Sequence, residues 1–249
     1  MTLMYHNIAG AGQEIAFREW QPAYDVSHEC FGWQLLLFER LAQGKQQLCL
    51  TFDDGYASVH QLVAPLLTPY DFRRIVFVTT ETIGQRGMLS RQQIRELAEM
   101  QFEIGVHSHS HVFLEHLSTQ QLMAEIRDPQ KQLEDLSGAP VVNLSLPGGR
   151  YDRETLNYAT ECGMQSVFTS VPGAGEFHLK DLPQLRLIRR CLVSDKTPLW
   201  QLEKLVSRNT AFMAKQKGLY LLGRTGKRLL GNSNYHRVWH TLQRMTHSF

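Results

Sequence analysis

The chain predicts an α/β protein built on parallel strands, and three features predict it. Short β-prone runs alternate with amphipathic helical stretches through most of its length. Some of these runs, such as Arg74-Ile75-Val76-Phe77-Val78-Thr79-Thr80, hold a continuous apolar, β-rich centre, as in strands buried on both faces. Residues able to do chemistry stand at the C-terminal ends of the runs, where open α/β sheets and barrels build their sites.

Taken in order, Leu3 to His6 reads as a short first strand. Residues 7–46 are less regular. Within them, Phe31, Leu35, Phe38 and Leu41 recur at helical spacing, and Gly44 is the expected stop. Leu48 to Phe52 is a buried strand, followed by a helix from Tyr56 to Leu67 that carries Pro65. After the Arg74–Thr80 strand, Ser90 is the expected N-cap of a helix over Arg91–Met100. Phe102 to His107 is a further strand. Ser118 caps the next helix, which Pro129 should kink or split. Val141 to Leu146 is a strand leading into Pro147-Gly148-Gly149, and Asp152 or Arg153 starts a helix to about Cys162. Ser166–Thr169 and Leu185–Val193 are the last strands expected. From residue 197 on, basic amphipathic helices are expected, with breaks at Gly218 and around Gly231-Asn232-Ser233-Asn234.

The 249 residues suffice for one large domain or two small ones, and 43% hydrophobic with 20% charged residues fits a soluble globular chain. No apolar run approaches the roughly 18 residues of a membrane span. The start, Met-Thr-Leu-Met-Tyr-His, lacks the basic and apolar regions of a secretory signal, so the expected location is the cytoplasm. Cys30, Cys49, Cys162 and Cys191 have no paired spacing and are expected to be free thiols. The net charge of +2 is unevenly placed. From Lys196 onward there are ten basic residues and one acid, Glu203, which leaves 16 basic and 23 acidic in residues 1–195. This divides the chain into a body, 1–195, and a basic helical extension, 196–249, packed on or beside it. The extension is either a solvated helical face or a dock for anionic lipid or an acidic partner. No nucleic-acid motif accompanies the charge.

The central stretch is Thr51-Phe52-Asp53-Asp54-Gly55-Tyr56, where a buried strand ends at two carboxylates and a glycine. Alone it would be a turn. A second strand end carries His107-Ser108-His109-Ser110-His111. Two imidazoles four residues apart can share a metal ion if the backbone between them turns, and Asp54 supplies an oxygen ligand. Three protein ligands leave positions for water and substrate, the pattern of a catalytic centre. Asp53 then stands beside the ligand as a general base. His109 is expected to face solvent or support the ligands, His116 to lie outside the site, and Ser108 to shape the turn.

These motifs resemble those of the polysaccharide deacetylases, carbohydrate esterase family 4. Thr51–Tyr56 is similar to the first motif, His107–His111 to the second, and Ser145-Leu146-Pro147-Gly148-Gly149-Arg150 stands in place of the third. Met4-Tyr5-His6 is similar to the start of many members. The resemblance covers roughly residues 1–193. It implies a distorted (β/α) barrel of seven or eight strands, a divalent metal, usually zinc, and hydrolysis of N-acetyl or sometimes O-acetyl groups on a glycan. It assigns Asp53 as base, Asp54, His107 and His111 as metal ligands, and the Tyr56 N–H to the oxyanion. Pro147, Gly148 and Tyr5 fall on the substrate groove.

Three departures accompany the resemblance. Ser145 stands where the family's third motif has an arginine that orients the base. Val167-Phe168-Thr169-Ser170 replaces a tryptophan-bearing fourth motif. Leu185-Arg186-Leu187-Ile188 lacks the histidine of the fifth, which supplies the general acid, so His6 and His178 are the candidates for that acid. The expected activity is metal-dependent deacetylation of a polymeric, oligomeric or lipid-linked saccharide in exopolysaccharide or cell-envelope synthesis. A membrane face or a synthesis partner would then be met through the basic segment. The competing expectations are a catalytically weakened fold that binds glycan or a synthase, and a small-amide hydrolase with a closed pocket.

Overall fold

The buried apolar runs become the strands of one curled sheet. The computed structural model describes residues 1–10, 13–18, 20–42 and 48–221. In chain order the first half contains β1 Thr2–Tyr5, β2 Ile8–Ala9, β3 Val26–Ser27, α1 His28–Ala42, β4 Cys49–Phe52, α2 Ala64–Leu67, β5 Arg73–Val78, α3 Arg91–Glu99 and β6 Glu103–Val106. The second half contains α4 Thr119–Leu122, α5 Asp128–Ser137, β7 Asn143–Ser145, α6 Arg153–Glu161, β8 Ser166–Phe168, β9 Glu176–Leu179, β10 Leu182–Ile188, β11 Cys191–Leu192 and α7 Leu199–Val206.

The main sheet runs β11-β1-β4-β5-β6-β7-β8-β10-β9. All its described pairings are parallel except β9 on β10, an edge hairpin that the sequence reading did not anticipate. Parallel strands need crossovers, and the intervening helices cover the sheet's outer face as in a distorted (β/α) barrel. The strand expected over Leu185–Val193 is in fact two. β10 ends at Ile188, and β11 starts at Cys191 on the opposite edge of the sheet, beside β1. Only Arg189 and Arg190 lie between, so they mark the seam where the curled sheet nearly closes.

Local chemistry sets the helix boundaries. Ser90 and Gln93 form a capping box on α3, Ser118 and Gln121 one on α4, and Asp152 and Thr155 one on α6. The two prolines inside expected helices are both accommodated by wide turns. A π-turn at Val59–Val63 precedes α2, with Pro65 in the first turn of that helix. Another at Met123–Arg127 separates α4 from α5, with Pro129 in the first turn of α5. A proline there removes no needed N–H.

α7 buries Leu202, Leu205 and Val206 in the main core and packs along α1. Helical backbone resumes over 210–221 and passes through Gly218, which therefore does not break it. A solvated glycine in a helix costs only about 1 kcal/mol. The expected break at 231–234 lies outside the described residues. The four cysteines are free, as expected. Among the described residues, no helix is long and apolar enough to cross a membrane.

Candidate active site

Four buried residues of β4 lead into Asp53 and Asp54, themselves 2% and 4% exposed. The chain then turns through left-handed backbone, with φ +74° at Asp54 and +83° at Gly55. The left-handed backbone favours glycine at 55, and a Cβ there would also crowd the Val78 side chain on the neighbouring β5 at 3.2 Å. Asp54 bears the conformational strain itself, a sign of a position fixed for function.

The two carboxylates have separate partners. Asp54 Oδ1 lies 3.3 Å from His107 Nε2 and 3.3 Å from His111 Nε2. It is buried, and neither contact has hydrogen-bond geometry, so this oxygen has no hydrogen-bond partner. The three side chains are the group among the described residues able to hold a metal ion. Ligands about 2.0–2.1 Å from one tetrahedral ion stand roughly 3.3 Å apart, so the spacing suits a cation between them. His107 Nδ1 is 3.0 Å from the Ser145 carbonyl oxygen. A carbonyl only accepts, so Nδ1 carries the proton and Nε2 keeps its lone pair for the cation. The residues present therefore fit a divalent metal.

The loop carrying the histidines is strained and braced. Ser108 and His111 both have positive φ, +62° and +59°. The His111 N–H donates to Ser108 Oγ at 2.9 Å, which gives Ser108 the turn-shaping role expected of it. From the π-turn, the Glu125 carboxylate accepts from His109 N (2.9 Å), Ser110 N (3.0 Å) and Ser110 Oγ (2.7 Å). His109 is exposed and pairs its Nδ1 with Thr80 Oγ1 at 2.9 Å. His116 is also exposed, paired with Asp152, outside the site.

Asp53 meets a residue that the motifs did not disclose. Arg190, 1% exposed, donates to Asp53 Oδ1 from Nη1 (2.7 Å) and to Oδ2 from Nη2 (2.9 Å). Its remaining donors go to Ser145 Oγ (2.8 Å), Thr51 Oγ1 (3.2 Å) and the Thr169 carbonyl (3.1 Å). All five guanidinium N–H groups are thus engaged. The Ser145 hydroxyl in turn donates to Asp53 Oδ2 at 3.0 Å. Phe77 and Phe168 lie 5.6 and 5.9 Å from the guanidinium carbon. An arginine from the seam therefore holds the carboxylate, and Ser145 is its intermediary. A signal was present in the sequence: two arginines interrupt an apolar run, and a charge buried there needs a partner.

Electrostatics follow from these contacts. Burial pushes the Asp53 carboxyl up, but the Arg190 charge, followed by His107, outweighs it and the net shift is downward. Burial likewise opposes ionisation of Asp54, and His107 and His111 reverse it. For His107, burial disfavours the charged ring, yet Asp53 and Asp54 raise its pKa overall.

The remaining expectations divide. His6 stands at the end of β1, next to β4, within electrostatic reach of Asp53 and Asp54. Its Nδ1 is buried without a partner, and its ring stacks on Tyr24 at 4.9 Å. Burial lowers its pKa. The Tyr56 side chain is buried with Phe17 and Met88, and among the described hydrogen bonds its N–H has no acceptor. Gly148 is exposed, on the turn after β7, with Phe113 beside it, whereas Pro147 is buried. Tyr5 is a correction. It is 0% exposed, packs on Phe31 and Phe52, and donates its hydroxyl to Gln34 Oε1 at 2.8 Å, so its side chain cannot touch substrate. The alternation of β1 turns Tyr5 into the core while its neighbour His6 faces the site. His178 is on the edge strand, exposed, with Pro183 O and Glu176 as its partners, and among the described contacts nothing joins it to Asp53.

Comparison with known proteins agrees with this geometry. Over 181 residues the chain is 30% identical to YxkH of Bacillus subtilis (strain 168), named for the polysaccharide deacetylases, covering 69% of this chain and 64% of that protein. Among solved structures, the Streptococcus pyogenes deacetylase PplD in complex with acetate is similar with TM-score 0.67 at 20% identity, over 82% of this chain and 96% of that one. BC0361, a polysaccharide deacetylase from Bacillus cereus, gives 0.67 at 20%, over 82% and 68%. A de-N-acetylase from Aggregatibacter actinomycetemcomitans gives 0.61 at 14%, over 82% and 98%. At such identities these structures speak for the fold, and the distorted barrel is common to them. Residues 40–167 match the Polysaccharide deacetylase family, and with the YxkH match this shows that the chain belongs to the polysaccharide deacetylase family.

Proposed function

We propose that the protein removes N-acetyl groups from a glycan by hydrolysis, with Asp53 as general base and Asp54, His107 and His111 holding a divalent ion. Two imidazoles and a carboxylate favour zinc. One observation carries the reading: adjacent carboxylates have opposite surroundings, Asp53 clamped by Arg190 and Ser145, Asp54 facing two imidazoles with an unpartnered oxygen. The bound ion would supply Lewis acidity at the water and the acetyl carbonyl. Asp53 takes the proton of the attacking water. The Tyr56 N–H donates to the developing oxyanion, a type of contact worth roughly 10²–10³ in rate. His6 returns a proton to the leaving amine, a role supported by its position at the adjacent strand end.

The names of similar structures support the chemistry. One is a deacetylase holding acetate, the acid that this reaction would release, and another is a de-N-acetylase. We further assign the substrate to a nascent or lipid-linked saccharide of exopolysaccharide or envelope synthesis. The basic C-terminal sequence, beginning near exposed Trp200 and Lys204, is the part suited to meet a membrane face inside the cell. The clamp on Asp53 weighs against a binding-only role, because a base held ionised and oriented has no purpose in one. The decisive test is acetate release from N-acetylated oligosaccharides by metal-loaded protein. Release that stops in Asp53→Asn supports the reading, and none from any acetylated glycan, with metal bound, defeats it.

A further inference from the structure

The outer faces of α1 and α7 expose apolar side chains that the core does not use. Inward, Phe31, Leu35 and Phe38 of α1 and Leu202, Leu205 and Val206 of α7 are buried. Outward, Trp33 is 59% exposed, Leu36 52%, Leu199 46% and Trp200 54%. The two helices run side by side in the same direction. At their starts the Asp195 N–H donates to the Asp25 carbonyl at 3.1 Å, and Asp195 Oδ1 accepts from the Ser27 N–H at 2.8 Å. Near their ends Arg40 Nη2 lies 4.0 Å from Glu203 Oε1. Trp33, Leu36 and Arg40 share one helical face, as do Leu199, Trp200 and Glu203. The Arg40–Glu203 contact therefore makes these faces neighbours, with four large apolar side chains between the two ties. Single exposed apolar residues are ordinary, but a clustered set marks an interaction surface.

Charge indicates what the surface meets. Residues 196–221 hold five basic side chains, Lys196, Lys204, Arg208, Lys215 and Lys217, and one acid, Glu203. Arg40 answers Glu203, and α1 adds Glu29 and Glu39, so the positive charge lies on the α7 side. Lys204 sets its ammonium 5.1 Å from the Trp200 ring centroid, and Phe212 stands edge-on to the same ring at 6.1 Å. Tryptophan with lysine beside it suits a bilayer interface, because the indole settles at headgroup depth and the ammonium reaches phosphate. A second copy of the chain docked here about a two-fold axis would bring two basic α7 faces together. An uncharged protein surface would leave the lysines unanswered. An anionic bilayer answers both the apolar and the basic part. The face also lies well for the site. α7 follows β11, and the Val193 N–H donates to the Met4 carbonyl at 2.9 Å, so both helices start near the strand end that carries His6.

We propose that the joined outer faces of α1 and α7 dock on an anionic lipid bilayer, with Trp33, Leu36, Leu199 and Trp200 in the headgroup layer and Lys196 and Lys204 against its phosphates. This deepens the membrane-facing substrate assigned above and rests on that reading for its purpose, whereas the binding itself needs no catalysis. The test sediments the full metal-loaded chain with vesicles of phosphatidylcholine, with and without about one-third phosphatidylglycerol. Binding should require phosphatidylglycerol. It should weaken between about 0.1 M and about 1 M salt, as the screening length shrinks from about 10 Å to about 3 Å. Brominated lipid should quench tryptophan fluorescence. Trp33→Ser with Trp200→Ser should lower the partition coefficient roughly ten- to hundredfold and leave the remaining tryptophans unquenched, while Trp33→Phe with Trp200→Phe keeps most of the binding. Circular dichroism should be that of the wild type, because both replaced side chains are exposed. No binding to any vesicle overturns the surface. Binding and quenching that the serine variant leaves whole overturn it too, and give the contact to the basic sequence alone. Acetate release from soluble N-acetylated oligosaccharides should be equal in the wild type and the serine variant. Vesicle binding without acetate release from any glycan upholds the docking surface and sinks the hydrolytic reading, and release without vesicle binding does the reverse.

Discussion

The two sides of this site are built differently. The candidate metal side comes from two short stretches, Asp54 after β4 and His107 to His111 after β6, each at the end of a central strand. The side proposed to supply base and acid is assembled from chain remote in sequence. Asp53 is held by Arg190 at the seam and Ser145 on β7, and His6 is covered by Tyr24 from the irregular stretch. Metal ligation demands fixed donors at fixed distances, which a tight local loop provides. Orienting a carboxylate demands only that a cation arrive in bidentate geometry, and any strand end around the barrel mouth can deliver it. The first requirement ties function to a motif, and the second leaves it free to move.

The largest effect should come from separating the two carboxylates. Asp53→Asn removes the base but no ligand, so acetate release should fall by about 10²–10⁴ while metal content, read by atomic emission, stays that of the wild type. Asp54→Asn should lose both. If the two variants lose metal alike, the division of roles is wrong.

Next is the clamp. Arg190→Met leaves Asp53 buried without its cation, a change that costs about 3–5 kcal/mol and lowers Tm by roughly 10 °C in a chain of this size. The sign with pH follows from the shifts. In the wild type the Asp53 pKa is depressed, so its contribution is present above the unfolded value near 3.9 and is lost as pH falls through the folded value. Without Arg190, burial dominates and the pKa rises, so the variant is penalised at neutral pH and relieved as Asp53 takes a proton. The Tm gap between the two proteins should therefore narrow from pH 7 towards pH 4, and the acid limb of the rate profile should move to higher pH. A constant gap would mean that Arg190 acts by packing alone.

The same contrast explains what could be read from sequence. Most of the strands, the N-caps at Ser90 and Ser118 and the Asp54–His107–His111 set are local patterns, and they emerged near where they were expected. Arg190 did not, because the run from Leu185 to Val193 reads as one strand until its ends are seen to pair with opposite edges of the sheet. Tyr5 was misassigned because a motif match assigns a segment, whereas the period of two along β1 sends neighbours to opposite faces. At the turn after β7, Pro147 is buried and Gly148 exposed. Glu125 lies in a helical region with an ordinary amphipathic pattern, and only the folded π-turn brings its carboxylate to the histidine loop.

Glu125 tests how far the metal side depends on support from outside its motif. Its carboxylate holds two N–H groups and a hydroxyl of a loop with two left-handed residues. Glu125→Ala should weaken zinc binding about 10–100-fold in a chelator competition, with the fold retained by circular dichroism. Unchanged affinity would show that the loop is held by Ser108 and the strand ends alone.

The smallest effect expected is at Tyr24. Its ring covers one face of His6, and burial is the foremost cause of the lowered His6 pKa. Tyr24→Leu removes the stacked ring and admits water, so the pKa should rise. If His6 is the acid, it is active when protonated, and the alkaline limb of the rate profile should move to higher pH. Loss of the fixed ring orientation should cost roughly two- to tenfold in kcat. Tyr24→Phe keeps the ring and should resemble the wild type. An alkaline limb that stays put in Tyr24→Leu, or that moves equally in Tyr24→Phe, would remove His6 from the acid role and leave the second side of the site with Asp53 and Arg190 alone.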